Sequence, residues 1–154
     1  MKNFVKIAAV SALLAAPLPA VAATGNVQFG ATVDNSCSIS VTQTGTLVAN
    51  VGQTVLSSSL IGGVAGTADV TATSNAFQVS IDAPTWSSYP VNGNTATVLA
   101  ATYSGTGATN IGATNAANPL QTGVTNVNVN LSATKTSGSF PTGTYAAVVV
   151  LRCE

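Results

Sequence analysis

Cys37 and Cys153 are the only thiols in this chain, and it contains no histidine. Two thiolates without an imidazole leave a tetrahedral zinc shell half filled, and neither sulfur has a base at hand to make it a nucleophile. In an oxidising compartment an even pair of cysteines reads instead as one disulfide, closed within one chain or between two. The carboxylates offer little more. Asp69 and Asp82 are the only plausible acid–base pair, a turn separates them, and no third group stands by to tune either. Trp86 and Tyr89 share a loop with Pro84 and Pro90 and fit either a sugar-stacking platform or a packing plug. The residues that could do chemistry thus point away from an enzyme, and no metal or cofactor is expected.

Composition narrows the class further. Residues 1–22 read as a secretory signal: Lys2 and Lys6 precede an apolar run from Ile7 to Ala16, and Ala20-Val21-Ala22 has the small-x-small form of a cleavage site. The run is shorter than the ~20 residues that span a bilayer, and Pro17 and Pro19 close it. No other segment is long and apolar enough to cross, so no membrane span is expected after cleavage. The roughly 130 residues that follow suit a single domain. Their charges are Lys135 and Arg152 against Asp34, Asp69, Asp82 and Glu154, which reads as a sparse, slightly acidic surface. Nucleic acid is disfavoured, because binding it needs clustered Lys and Arg.

These positions must be carried by strands. Alternation or β-branched runs mark Cys37–Val41, Ala68–Thr73, Ala76–Ile81, Thr95–Tyr103, Val124–Ser132 and Thr144–Cys153. Leu47–Leu60 reads as an irregular edge, Asp82–Asn94 as a long connection, and Ser104–Gln121 as a low-complexity connection on the outside that supplies no core. Asn130-Leu131-Ser132 has the form of a glycosylation sequon but reads as coincidence within a strand. No helix outside the signal is supported. Short strands separated by Gly and Pro turns predict an all-β, two-sheet sandwich.

The two ends of this sandwich do not match one chain. Thr144–Cys153 is the most apolar strand, and its open edge calls for a neighbour. Gly25–Val33 alternates Val27, Phe29, Ala31 and Val33 against Asn26, Gln28, Gly30 and Thr32, a half-buried strand suited to a sheet elsewhere. Folding of residues 25–41 into a hairpin within one chain is the other reading.

At this point the residues resemble a family. Gly25, Val27, Phe29 and Val33 before Cys37, and Pro141, Gly143, Tyr145, Val149 and Leu151 at the far end, resemble the structural subunits of bacterial chaperone-usher pili. Ala68–Ile81 is similar to the spore-coat-protein-U-like, archaic branch. The family's donor strand carries a glycine where Ala31 falls, and its second cysteine lies near Thr73–Ser74 rather than at Cys153. The resemblance implies an incomplete immunoglobulin-like sandwich lacking its seventh strand, completed by a donor strand from a neighbouring subunit. It implies residues 23–36 as the donor extension and 37–154 as the pilin domain. Val27, Phe29, Ala31 and Val33 then insert into a groove lined by Ile39, Val41, Tyr145, Ala147, Val149 and Leu151, with Cys37 and Cys153 bridging its two walls at one end. The implied partners are identical subunits in a homopolymer, a periplasmic chaperone and an outer-membrane usher. The product is a surface pilus, or fimbrium, for adhesion or biofilm formation. A minor or adaptor subunit, and a free-standing secreted carbohydrate-binding sandwich, are the alternatives.

Overall fold

The computed structural model describes residues 22–154. The signal sequence read at 1–22 lies outside them, apart from Ala22. Residues 22–32 belong to a unit separate from the body Val33–Glu154. Residues 22–36 are exposed throughout and form no strand. A strand is a shared structure, and the Gly25–Val33 segment has no ladder to direct its backbone groups into.

Every regular element of the body is a strand. β1 (Cys37–Gln43), β4 (Gly66–Ala72), β10 (Gly123–Lys135) and β7 (Thr97–Gly107) lie side by side and antiparallel. The period of two that marked them in sequence now divides two faces. Ile39, Val70, Tyr103 and Val127 turn inward, while Ser40, Asp69, Thr106 and Asn126 form one cross-strand row on the outer face. β3 (Val55–Ser57) pairs β10 further along, β2 (Val48–Ala49) pairs β3, and β8 (Ile111–Thr114) pairs β7. Two smaller sheets complete the body: β5 (Gln78–Ile81) between β12 (Leu151–Cys153) and β9 (Asn118–Pro119), and β6 (Thr85–Ser88) with β11 (Ala146–Val148). This all-β architecture is consistent with a β-sandwich.

Apolar burial concentrates in two clusters. One gathers Val70, Val79, Tyr103, Ile111, Leu120 and Val127, drawing on both the large sheet and β5. The buried Tyr103 hydroxyl shares its proton between the carbonyls of Val79 (2.9 Å) and Ala116 (2.7 Å) and accepts from Asn118 Nδ2 (2.9 Å), so its polarity is satisfied. The other cluster is smaller, with Leu56, Ala133 and Phe140 packed against Leu47, Trp86, Leu99 and Tyr145.

Four expectations change. Ser104–Gln121 is not an outer connection: β7 runs on to Gly107, β8 and β9 follow, and Ile111 and Leu120 enter the core. Gly105 makes this possible, since a Cβ there would lie 3.1 Å from Thr125 and 3.2 Å from Ile111. Asp82–Asn94 contains β6. Thr144–Cys153 is two strands because it has two partners, β11 on β6 and β12 on β5. Lys135 is not a surface charge but a buried one.

Lys135 organises the end of the body farthest from the disulfide. Its Nζ donates to the carbonyls of Asn92 (3.3 Å), Gly93 (3.0 Å) and Thr95 (2.7 Å) and sits 4.9 Å from the Phe140 ring centre. Lys135→Met keeps the stem but strands three inward carbonyls. Urea unfolding should register a loss of about 2 to 3 kcal/mol, and a loss below about 0.5 kcal/mol, the scatter of surface changes, would show that water replaces the ammonium.

Candidate functional site

Beside β1 and the β11–β12 run the ladders stop. β1 pairs only with β4, β11 only with β6 and β12 only with β5, so among the described residues each has an edge without a ladder partner. β1 begins, and β12 ends, at the same disulfide: Cys37 is bonded to Cys153 across a Cα separation of 6.1 Å. The two runs are therefore antiparallel, and the intramolecular form of the bridge is the one present.

An open cleft of about 740 Å³ lies between them. Ile39, Val41, Tyr145, Ala147, Val149 and Leu151, the six residues singled out as groove lining, all face it. Val41 is 71% exposed although Cys37 and Ile39 before it on the inner face of β1 are half-buried. Sequence reasoning missed the floor, which is formed by Leu56, Ala68, Val129 and Leu131, and the end formed by Thr44, Gly45 and Thr46. The strict alternation of Val127, Val129 and Leu131 was the available signal for part of that floor. The cleft is lined by members of both core clusters, so it separates what a continuous core would join.

The Pro141-x-Gly143-x-Tyr145 stretch shapes one rim. The Tyr145 hydroxyl donates to the Pro141 carbonyl at 2.8 Å, and its ring packs edge-on to Phe140 at 5.3 Å and tilted to Trp86 at 5.5 Å. Partial burial pushes the Tyr145 phenol above its ordinary pKa. Gly143 has φ 151°, and a Cβ would fall 2.9 Å from the Pro90 ring, so only glycine fits.

The other candidate residues lie outside the cleft. Asp69 accepts from the Asn126 amide on the large sheet, whereas Asp82 follows β5 and takes a bidentate pair from Arg152 at 2.7 and 2.6 Å. The two carboxylates are not brought together. Trp86 packs within the smaller cluster with its indole N–H buried and without a hydrogen-bond partner among the described residues, and the Tyr89 ring centre lies 6.3 Å from its own. Asn130 of the sequon is half-buried, its carbonyl accepting from Ser58 (3.0 Å) and Ser59 (3.2 Å). Val27, Phe29, Ala31 and Val33 lie in the strandless segment, with Phe29 94% exposed. No protein-family model, curated protein or solved structure matches the chain.

The bridge closes a loop of sequence separation 116, so its loss enlarges the unfolded ensemble more than it disturbs any contact. Cys153→Ser should cost about 2 to 5 kcal/mol in urea unfolding, and an unchanged midpoint would mean the walls are held by packing alone. A second measurement concerns Asp82, whose pKa the Arg152 hydrogen bonds and charge hold below the ordinary carboxylate value. The pair's stabilisation is present above that ordinary value and fades as pH falls through the lowered one. In Arg152→Gln the Asp82 carboxyl titration followed by NMR should move upward; an unmoved curve would show the pair is broken in solution.

Proposed function

We propose that this chain is a structural pilin subunit that polymerises by donor-strand exchange. The observation that carries the reading is the cleft itself: an apolar trough flanked by two strand edges without partners, in a chain that also bears an exposed alternating segment. Val27 to Val33 covers the same seven-residue length as β1, about 20 Å at the strand rise. Its four apolar side chains recur every second residue, as do those of the cleft walls. In this reading the body is an immunoglobulin-like sandwich without its seventh strand, and the neighbour's Gly25–Val33 fills the gap by β-strand addition.

Two contributions favour the joined state. Burying Phe29, Val27 and Val33 stabilises it by about 1.5 to 3 kcal/mol each, and the added strand pairs backbone groups on both flanks of the cleft. The same features make a lone subunit prone to edge-to-edge association. A periplasmic chaperone that lends a strand, and an outer-membrane usher that exchanges it, follow from that need. The product is a homopolymer exported through the periplasm to the cell surface, a fimbrium serving adhesion or biofilm formation. Packing of Trp86 within the smaller cluster removes the main support for a sugar-binding sandwich.

Deleting Gly25–Val33 should abolish filaments, viewed by electron microscopy of expressing cells, while the subunit still accepts a synthetic peptide of that sequence. Phe29→Asp places an unpaired charge in the trough and should reduce assembly far more than Gln28→Asp on the opposite face. Normal filaments from the deleted chain would sink the reading.

A further inference from the structure

On the reading that Gly25–Val33 is donated between copies, a short connection fixes which parts of two bodies must meet. Only Asp34, Asn35 and Ser36 separate Val33 from Cys37, and Cys37 sits at the disulfide-linked end of the cleft. Four residue steps reach at most ~14 Å, whereas the seven residues of β1 extend ~20 Å. A chain's own segment can therefore reach its own cleft only as a hairpin against β1, with Val33 beside the disulfide. The opposite polarity, with Val33 at the far end and the strand antiparallel to β12, is beyond its own reach and open only to another copy. A strand donated that way leaves at the far end of the cleft, and within the same ~14 Å the donor's Cys37 must follow. The disulfide-linked end of one copy is thereby held close to the far end of the next.

Beyond the Thr44–Thr46 end of the cleft, the β2–β3 and β6–β7 turns expose large apolar side chains. Val51, in the turn between β2 and β3, is fully exposed; Val91, between β6 and β7, is 83% exposed, with Tyr89 nearby. Both tips are fixed in place from the body. The Lys135 backbone N–H donates to Thr54 (2.8 Å), its Nζ to Asn92 and Gly93, and the Phe140 N–H to Gln53 (2.7 Å). A rigid pair of apolar tips costs little entropy to cover, unlike a mobile loop. At the other end Ala76 and Ala108, near Cys37 across Ala72 and Gly123, present small exposed methyl groups.

We infer that Val51, Tyr89 and Val91 form a second contact surface, covered by the disulfide-linked end of a second copy of this chain around residues 73–77 and 108–110. The full chain carrying benzoylphenylalanine at position 91 tests this, assembled from a mixture of isotopically light and heavy subunits. Irradiation should join position 91 to peptides containing Ala76 or Ala108 in mixed-isotope pairs. The double variant Val51→Asp, Val91→Asp should still assemble, with a persistence length several-fold shorter in electron micrographs. Polymers that cross-link position 91 only within one copy, or to another face, overturn the contact and leave strand exchange standing. If no polymer forms, or if Phe29→Asp polymerises normally, strand exchange itself fails and the contact fails with it.

Discussion

An apolar trough bounded by strand edges makes two demands on anything that covers it, apolar volume and backbone hydrogen-bond partners. Any occupant that covers Ile39, Val149 and Leu151 also takes the neighbouring backbone N–H and C=O groups out of water. Each such group left unpaired costs about 1 to 3 kcal/mol. A helix satisfies its own backbone and leaves the edges unpaired, and a small apolar ligand offers too few donors and acceptors. An extended strand with alternating side chains answers both demands, because one face supplies apolar volume while its backbone continues the ladders.

The two ends of the trough are closed independently. At one end the Cys37–Cys153 bond joins the walls, backed by Tyr103, whose hydroxyl ties β5 to the β8–β9 connection. At the other, Lys135 threads three loop carbonyls, and the Phe140, Tyr145 and Trp86 rings lean on one another. Between the two, the floor on β4 and β10 is supported from its outer side by a ladder of Thr, Asn and Ser with a single carboxylate, Asp69. The burial of the core in two clusters is thus the counterpart of the cleft: the residues that would join them face it.

How much of this was legible in the sequence depended on whether a residue's role was periodic or contextual. Ile39 and Val41 on one strand, and Tyr145, Ala147, Val149 and Leu151 on another, stand at every second position, so period put each set on one face of its own strand and only the family resemblance joined the two sets in a groove; the structure has all six lining one cleft. Lys135 could not be read this way. A lysine in a polar turn looks solvated, and only the folding of residues 92–95 over it supplies the carbonyls that accept its charge. Ile111 and Leu120 were hidden for a similar reason, since each is an isolated apolar residue among Gly, Thr, Ala and Asn, and Gly105, distant in pattern, is what makes room for Ile111. The break between β11 and β12 left no local mark because it reflects a change of partner from β6 to β5. The strand-like pattern of Gly25–Val33 was plain, yet it forms no strand by itself, for a strand's hydrogen bonds belong to a pair.

The disulfide also has a mechanical meaning. Cys37 is the first residue of β1, so tension applied through the preceding segment enters the body there. The sulfur bridge passes that load directly to Cys153, one residue from the end of the sequence and part of the opposite cleft wall. Residues 38 to 152 lie inside the closed loop and stand outside the covalent line of force between those walls. A pull on the N-terminal segment then strains the two flanking strands together and cannot draw out the intervening chain as slack.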